Sequence, residues 1–486
     1  MTTSRADHQL DVVIVGAGIT GIAAAAQLQA NCPDKTFVVL EQRDNIGGTW
    51  DLFKYPGIRS DSDMFTLGYA FKPWTDPRAI ASAQSIKNYL AETIDELGLS
   101  ERIRLGTQLT GASWDSSENL WTLTLTQGDD SQTLRCRHLY LGSGYYSYTS
   151  GYNPAFPGED EFDGQVIHPQ FWPTDLDYKG KTIAVIGSGA TAITLIPNLA
   201  DDAAHVTMVQ RSPSYVHIES AVDEELIRLR EEVGAEAAFA AVRARNLDDQ
   251  QQMFAKARQD PETFKKALFD AIDAMVGEDI RREHFTPSYE PWDQRVCVVP
   301  DADLFLAIAD GRASVATGQI ERINARGIQM QDGTFVDADI IVKATGFNAA
   351  MGGGVEISVD GRRVDLGDCW TYKGLAYSGI PNMVYGFGFF NHSWTLRIEI
   401  VNEYWCRILK HMDEIGAERF TPLLSPGDED MTAQPYIEGA TSGYLRRGAK
   451  SLPRQGTREP WTNPQHYTTT LRLLETIDDG VLRYER

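Results

Sequence analysis

Two glycine-rich turns carry residue types and spacings that can do chemistry: Gly16-Ala17-Gly18-Ile19-Thr20-Gly21 and Gly187-Ser188-Gly189-Ala190-Thr191-Ala192. In such a turn the first glycine permits a tight bend and the second lets backbone approach a pyrophosphate. The third small residue lets the following helix pack on the preceding strand. The free N–H groups that open the helix then hold phosphate. The strand after each turn distinguishes the two. After the first, the run TFVVLE ends in Glu41, where a carboxylate accepts the hydroxyls of a ribose. After the second, HVTMVQRS ends in Arg211 and Ser212. A guanidinium there suits a 2'-phosphate and leaves a free 2'-hydroxyl without a partner, so the second nucleotide is expected to be NADPH rather than NADH.

Each turn needs a strand before it and a helix after it. Leu10–Val15 is a β-branched run and an alanine-rich stretch continues to Gln29; KTIAVI precedes the second turn and ITLIPNLA comes after it. The spacing therefore predicts an α/β chain with two Rossmann-like dinucleotide-binding domains. A further apolar strand, ADIIVKATGF at 338–347, is expected to return and complete the first domain, and HLYLGSGYY at 138–146 to carry the chain out of it. Residues 216–283, rich in Glu, Ala, Arg and Leu and interrupted at Pro261, read as a helical insertion in the second domain. The expected order is the first domain over 1–147, the second over 148–215, the insertion, the second again over 284–335, and the first again with a C-terminal cap over 336–486.

A chain of 486 residues with a net charge of -23 is expected to repel nucleic acid and anionic membrane surfaces. Its five cysteines show no CxxC or metal-ligand spacing, which suggests free thiols in a reducing cytoplasm. The stretch VVIVGAGITGIAAAAQL could pass for a secretory signal, but three glycines interrupt it and no run offers about 18 apolar residues. Neither signal peptide nor membrane span is expected.

Two further stretches narrow the class. Phe162, Gly164, His168, Trp172 and Pro173 spell F-x-G-x-x-x-H-x-x-x-W-P just before the second glycine turn, and GTWDLFKYPGIRSD occupies 48–61. Together with the glycine turns they resemble the fingerprints of the type I Baeyer-Villiger monooxygenases, class B flavoproteins. YPGIRSDSDM, SGYYSY, IHPQFWP, PWDQRVCVVP and SGIPNM bring the likeness closest to the ethionamide-activating type. The resemblance implies FAD in the first domain and NADPH in the second. It implies insertion of one oxygen atom of O2 beside a ketone carbonyl through a C4a-peroxyflavin, giving an ester or lactone, with oxidation of sulfide and thioamide sulfur as well.

By the same resemblance Arg295 is the catalytic arginine and Asp61 the carboxylate that orients it. A deprotonated peroxide needs a permanent cation that cannot give up a proton at neutral pH, and arginine meets that need. Trp50 is expected to stack near the flavin with Gly48 and Thr49 supplying backbone contacts, Arg59 and Ser60 to line the nicotinamide side, and Leu109 to touch the FAD adenine through its backbone. His168 and Trp172 are expected to hold or relay domain movement rather than touch substrate. The segment GFGFFNHSWTLRIE at 386–399 is expected to wall the substrate cavity. The rival reading is a flavin monooxygenase that oxygenates sulfur or nitrogen through a protonated hydroperoxide; it has no need of Arg295. A disulfide reductase would require a cysteine pair that this sequence lacks.

Overall fold

The structure, a computed structural model, describes residues 9–428, 430–439, 443–477 and 479–486. Strand Gln9–Val15 pairs in parallel with Phe37–Leu40 on one side and Asp130–Leu141 on the other. Val12, Val13 and Ile14 are fully buried, as an apolar run covered on both faces of a parallel sheet must be. Helix Ile19–Asn31 leaves the first glycine turn, and its buried Ala23 to Ala26 let it lie close against helix Trp394–Ile415. An antiparallel meander of Gln108–Asp115, Leu120–Gln127 and Asp130–Leu141 extends the same sheet.

The second sheet is parallel throughout, in the order Ala313–Thr317, His205–Gln210, Thr182–Ile186, Ile340–Lys343, Gln165–Ile167. This corrects one expectation. The apolar strand near 340 does not complete the first sheet; it sits inside the second, with Ile340 against Ile183 and Lys343 against Ile186. A strand buried on both faces fits the middle of either sheet, so its apolarity carries no address. The first sheet is completed later, by Glu356–Val359 beside Gln108–Asp115 and by Met383–Tyr385 beside Asp130–Leu141. The chain thus crosses between sheets after Leu141 and again after Lys343. The two crossing segments, Tyr146–Gly151 and Phe347–Ala349, pair as an antiparallel ribbon.

Residues 224–284 form four helices, Glu224–Val233, Ala235–Gln259, Pro261–Val276 and Glu278–His284. Gly234 and Gly277, both at positive φ, break the run, and Asp223 and Asp260 cap two of the helices through their side chains. The longest helix reaches the first sheet's side of the molecule. There Arg243 donates to the carbonyls of Phe65 (2.7 Å) and Gly68 (2.8 Å) and pairs with Glu399 at 2.7 Å. Among the described residues no helix is long and apolar enough to cross a membrane.

Candidate active site

A cleft of about 1100 Å³ runs between the sheets, and both glycine turns line it. Gly16 at φ +99° and Gly187 at φ +138° make the bends; a Cβ on either would lie 2.7 Å from the Gly142 carbonyl oxygen or 2.4 Å from that of Ala344. A Cβ on Gly21 would sit 1.8 Å from the Gly16 carbonyl oxygen, whereas the corresponding Ala192 packs fully buried. Gly18 and Gly189 are the N-caps of their helices with near-identical backbone, φ -84° and ψ -175° against φ -84° and ψ -176°. Neither helix has a side-chain cap, so the opening N–H groups near Thr20 and Thr191 are left for a ligand. A methyl on Gly189 would meet nothing within 4 Å, and one on Gly18 would have the Gly48 Cα, at 3.4 Å, as its nearest neighbour.

The strand-end residues differ as their types demand. Glu41 is buried, its Oε2 accepting from the Ala17 N–H (2.8 Å) and its Oε1 from the Arg43 N–H (2.9 Å). Burial pushes its carboxyl above the usual range, against the pull of those two N–H groups. A carboxylate has about four lone-pair sites, so each oxygen can still accept from a hydroxyl. Arg211 is exposed at the cleft edge, and among the described residues its guanidinium has no carboxylate or carbonyl partner. Beside it Ser188 Oγ donates to the Ser212 carbonyl at 3.1 Å. One acidic and one basic strand end, each under an uncapped helix, fit two dinucleotides of different kind.

Arg295 lies on the rim shared by the two units. Its Nε is 2.7 Å from Asp61 Oδ2 and its Nη2 3.0 Å from Asp61 Oδ1, while Nη1 donates to the Phe390 carbonyl at 3.1 Å. In the loop carrying Asp61, Ser60 Oγ donates to the Ser62 carbonyl (2.7 Å) and accepts the Ser62 N–H (3.0 Å). Arg59 is held in a fork by Asp303, 2.5 Å and 3.3 Å, which ties this loop to helix Asp303–Ala309 of the second unit. Trp50 lines the cleft from the short helix Thr49–Leu52, which starts at Gly48 with φ +56°. Under it the buried Asp51 pairs with Arg43 (2.9 Å) and Lys87 (2.7 Å). Burial alone would raise the Asp51 carboxyl, but the Lys87 and Arg43 cations bring it below the usual range. Leu109, buried in its strand, lines the far end near Glu41.

None of the five fingerprint residues lines the cleft. His168 sits instead behind the crossing ribbon, its Nε2 3.2 Å from the Gly346 carbonyl oxygen and its Nδ1 accepting the Gln170 N–H. Burial lowers its pKa, so the imidazole is neutral and Nε2–H is the donor to Gly346. Only glycine fits at 151, where a Cβ would fall 2.1 Å from His168 Cε1; at 164 a Cβ would meet the Asp339 carbonyl oxygen at 2.2 Å. Phe162 and Trp172 pack on the second sheet's cores, and Pro173 begins the turn that accepts the Leu176 N–H.

Some cleft residues give no sequence signal. Buried Tyr55 lines the cleft together with Thr191 of the second turn. Phe254 comes from the insertion, Trp292 from a left-handed turn at φ +68°, and Gln465 from the C-terminal region. From 386–399, Phe389, Phe390, Asn391, His392 and Trp394 line the cleft, while Thr395, Leu396, Arg397 and Ile398 are buried in the helix that Trp394 begins. Three side-chain atoms at this aromatic end, Trp292 Nε1, His392 Nε2 and Gln465 Nε2, are buried without a partner among the described residues. Each such group costs about 1–3 kcal/mol if nothing binds it.

Comparison with known proteins agrees with this geometry. A family described as pyridine nucleotide-disulphide oxidoreductase matches residues 13–263. The FAD-containing monooxygenase EthA of Mycobacterium tuberculosis is 45% identical over 484 residues, covering 99% of this chain and 98% of that protein. The probable FAD-binding monooxygenase AlmA of an Acinetobacter species is 42% identical over 485 residues, covering 99% and 97%. An oxidized steroid monooxygenase bound to NADP shares the fold at a TM-score of 0.78 and 22% identity, covering 98% of this chain and 100% of that one. The closed crystal structure of cyclohexanone monooxygenase does so at 0.76 and 21%, covering 99% and 100%.

Proposed function

Since the chain belongs to the FAD-containing monooxygenases of the EthA type, on the pyridine nucleotide-disulphide oxidoreductase fold, we propose that it is an FAD- and NADPH-dependent Baeyer-Villiger monooxygenase. It converts a small ketone and O2 to an ester or lactone and also oxidises sulfide or thioamide sulfur, as a cytoplasmic enzyme. The observation that carries this reading is the forked Arg295–Asp61 pair on the rim of a cleft shared by two uncapped dinucleotide turns.

The residues fit both cofactors. The helix openings at Gly18 and Gly189 would take the two pyrophosphates, Glu41 a ribose, Arg211 and Ser212 a 2'-phosphate, and Trp50 with Gly48 and Thr49 the flavin side of the cleft. When bound, these cofactors supply hydride transfer and oxygen activation, which no side chain can perform. The protein's part is electrostatic. Arg295 stays charged at any working pH and offers no proton. Asp61 and the Phe390 carbonyl aim it, so oxygen anions formed on the substrate meet a fixed cation at the rim of the cleft. Asp61 is committed to this pair and acts as a positioning residue. A disulfide reductase gains no support: of the five free cysteines, Cys297 alone lines the cleft.

Purified protein incubated with NADPH, O2 and linear ketones, cyclic ketones or aryl methyl sulfides, with products identified by mass, tests this reading. Esters or lactones are expected. Sulfoxides without any ester from ketones would transfer the assignment to the electrophilic, sulfur-oxygenating class.

A further inference from the structure

The helical insertion grips the chain on both sides of the Arg295–Asp61 pair. On helix Ala235–Gln259, Asn246, Gln250, Phe254 and Arg258 recur every four residues and so form one stripe. At one end the stripe holds Asp63, two residues after Asp61. Asn246 Nδ2 donates to Asp63 Oδ1 and Gln250 Nε2 to Asp63 Oδ2, each at 2.9 Å. Asp63 is 8% exposed, and a buried carboxylate needs its lone pairs satisfied, so these bonds are costly to break. Gln250 also ties in the aromatic wall, because its Oε1 accepts the Ser393 N–H at 3.0 Å, beside Trp394. Phe254, one turn further along the helix, lines the cleft.

At its other end the stripe holds the turn that leads into Arg295. Arg258 Nη1 donates to the Pro291 carbonyl at 3.1 Å and to Asp293 Oδ1 at 2.8 Å. The Asp293 N–H closes the turn on the Glu290 carbonyl at 3.0 Å, with Trp292 left-handed at φ +68°. Lys265, on the next helix of the insertion, pairs with Glu290 at 2.9 Å. The Arg258 and Asp293 side chains are 41% and 31% exposed, so their pair adds little to stability; what it supplies is position. One helix therefore grips the chain two residues after Asp61 and two residues before Arg295.

We propose that this helix is a brace that sets the reach between Arg295 and Asp61, with Asn246, Gln250 and Arg258 as positioning residues for the oxygenation step. Removing the grip at either end lets one partner drift, so the guanidinium loses its aim while both glycine turns stay intact. The inference rests on the Baeyer-Villiger reading and deepens it.

The test uses the FAD-loaded enzyme at saturating NADPH and ketone, and measures ester and hydrogen peroxide formed per NADPH consumed. Gln250→Leu cuts one end of the brace; Arg258→Met keeps the aliphatic stem and cuts the other. Both should keep their flavin and its reduction by NADPH. Ester per NADPH should fall about fivefold or more, with peroxide rising to match, since misplacement by about 1 Å can cost roughly a hundredfold. Amide exchange should quicken in residues 60–64 of Gln250→Leu and 290–296 of Arg258→Met. Arg258→Lys should regain most of the ester, because Nη1 alone makes both contacts and an ammonium can stand in for a single donor point. Lys266→Ala, which breaks an exposed pair with Asp270 elsewhere on the insertion, should match wild type. A purely structural role lowers NADPH consumption and ester together and leaves their ratio unmoved. If Gln250→Leu fails to fold, Asn246→Leu cuts the same end; if Arg258→Met does, Lys265→Met loosens the same turn at Glu290. A wild-type ratio in both end variants overturns the brace, and a fallen ratio at one end alone overturns its two-ended form. Ester from no ketone with the wild-type enzyme overturns the Baeyer-Villiger reading beneath it.

Discussion

Arg295 and Asp61 stand 234 residues apart in sequence and meet as a fork, Nε to Oδ2 at 2.7 Å and Nη2 to Oδ1 at 3.0 Å. The pair is only partly buried, so its contribution to stability is small. Its value lies in aim. Two parallel contacts fix the plane of the guanidinium, which a single contact would leave free to rotate.

Replacing that guanidinium separates the two halves of the reaction. Arg295→Ala leaves both glycine turns intact, so NADPH should still be consumed, with hydrogen peroxide released in place of ester. Loss of one fixed stabiliser of an oxygen anion costs about 2.7–4 kcal/mol, or roughly a hundred- to a thousandfold in ester formation. Arg295→Lys keeps the charge and loses the fork, and should rescue little. Asp61→Ala should show a milder loss. Product and peroxide assays on the same reaction check all three, and near wild-type ester from Arg295→Ala sinks the assigned role.

The two open glycines separate cofactor binding from folding. A methyl at Gly18 or Gly189 makes no forbidding contact within the chain, so both alanine variants should fold. Gly18→Ala should be purified with little flavin or none. Gly189→Ala should keep its flavin and show a raised KM for NADPH. Arg211→Ala should lose about 1.5–3 kcal/mol from NADPH alone, roughly ten- to a hundredfold in kcat/KM, with the NADH value unmoved. Flavin absorbance and the two coenzyme titrations report these effects.

His168 lies behind the ribbon that joins the two sheets, and Gly151 makes room for its ring. His168→Ala and Gly151→Ala should therefore share one phenotype: flavin retained, turnover slowed, and a larger share of NADPH lost to hydrogen peroxide. A measured NADPH-to-ester ratio equal to wild type in both would leave these residues as packing only.

Acid should destabilise the fold through buried neutral histidines. Burial, with Lys35 nearby, lowers the His138 pKa to about 3, and burial with His466 lowers that of His392 to about 4. Unfolded histidines take up a proton near pH 6.5 while the folded ones do not, so stability is full above that pH. It falls on acidification by up to about 1.4 kcal/mol per pH unit for each histidine until the folded pKa is reached. His138→Leu should flatten the fall in unfolding midpoint between pH 6.5 and 5. An unchanged slope would locate the acid sensitivity elsewhere.

What the sequence determined by itself was local. A strand, a tight turn and a helix occupy about thirty residues, and the conformational needs of glycine at 16 and 187, or of an acid at 41 and a base at 211, act within that span. The sequence motifs also placed Arg295 and Asp61 in the chain. Tertiary structure alone decided which partners distant segments would find. Ile340–Lys343 is apolar on both faces and suits either sheet, so backbone pairing with Thr182–Ile186 settled its place. Trp292, His392 and Gln465 belong to three separate stretches with no shared periodicity, and only tertiary packing makes all three line one cleft. Short-range backbone preference is written residue by residue, whereas long-range contact depends on shape and burial that no single stretch encodes.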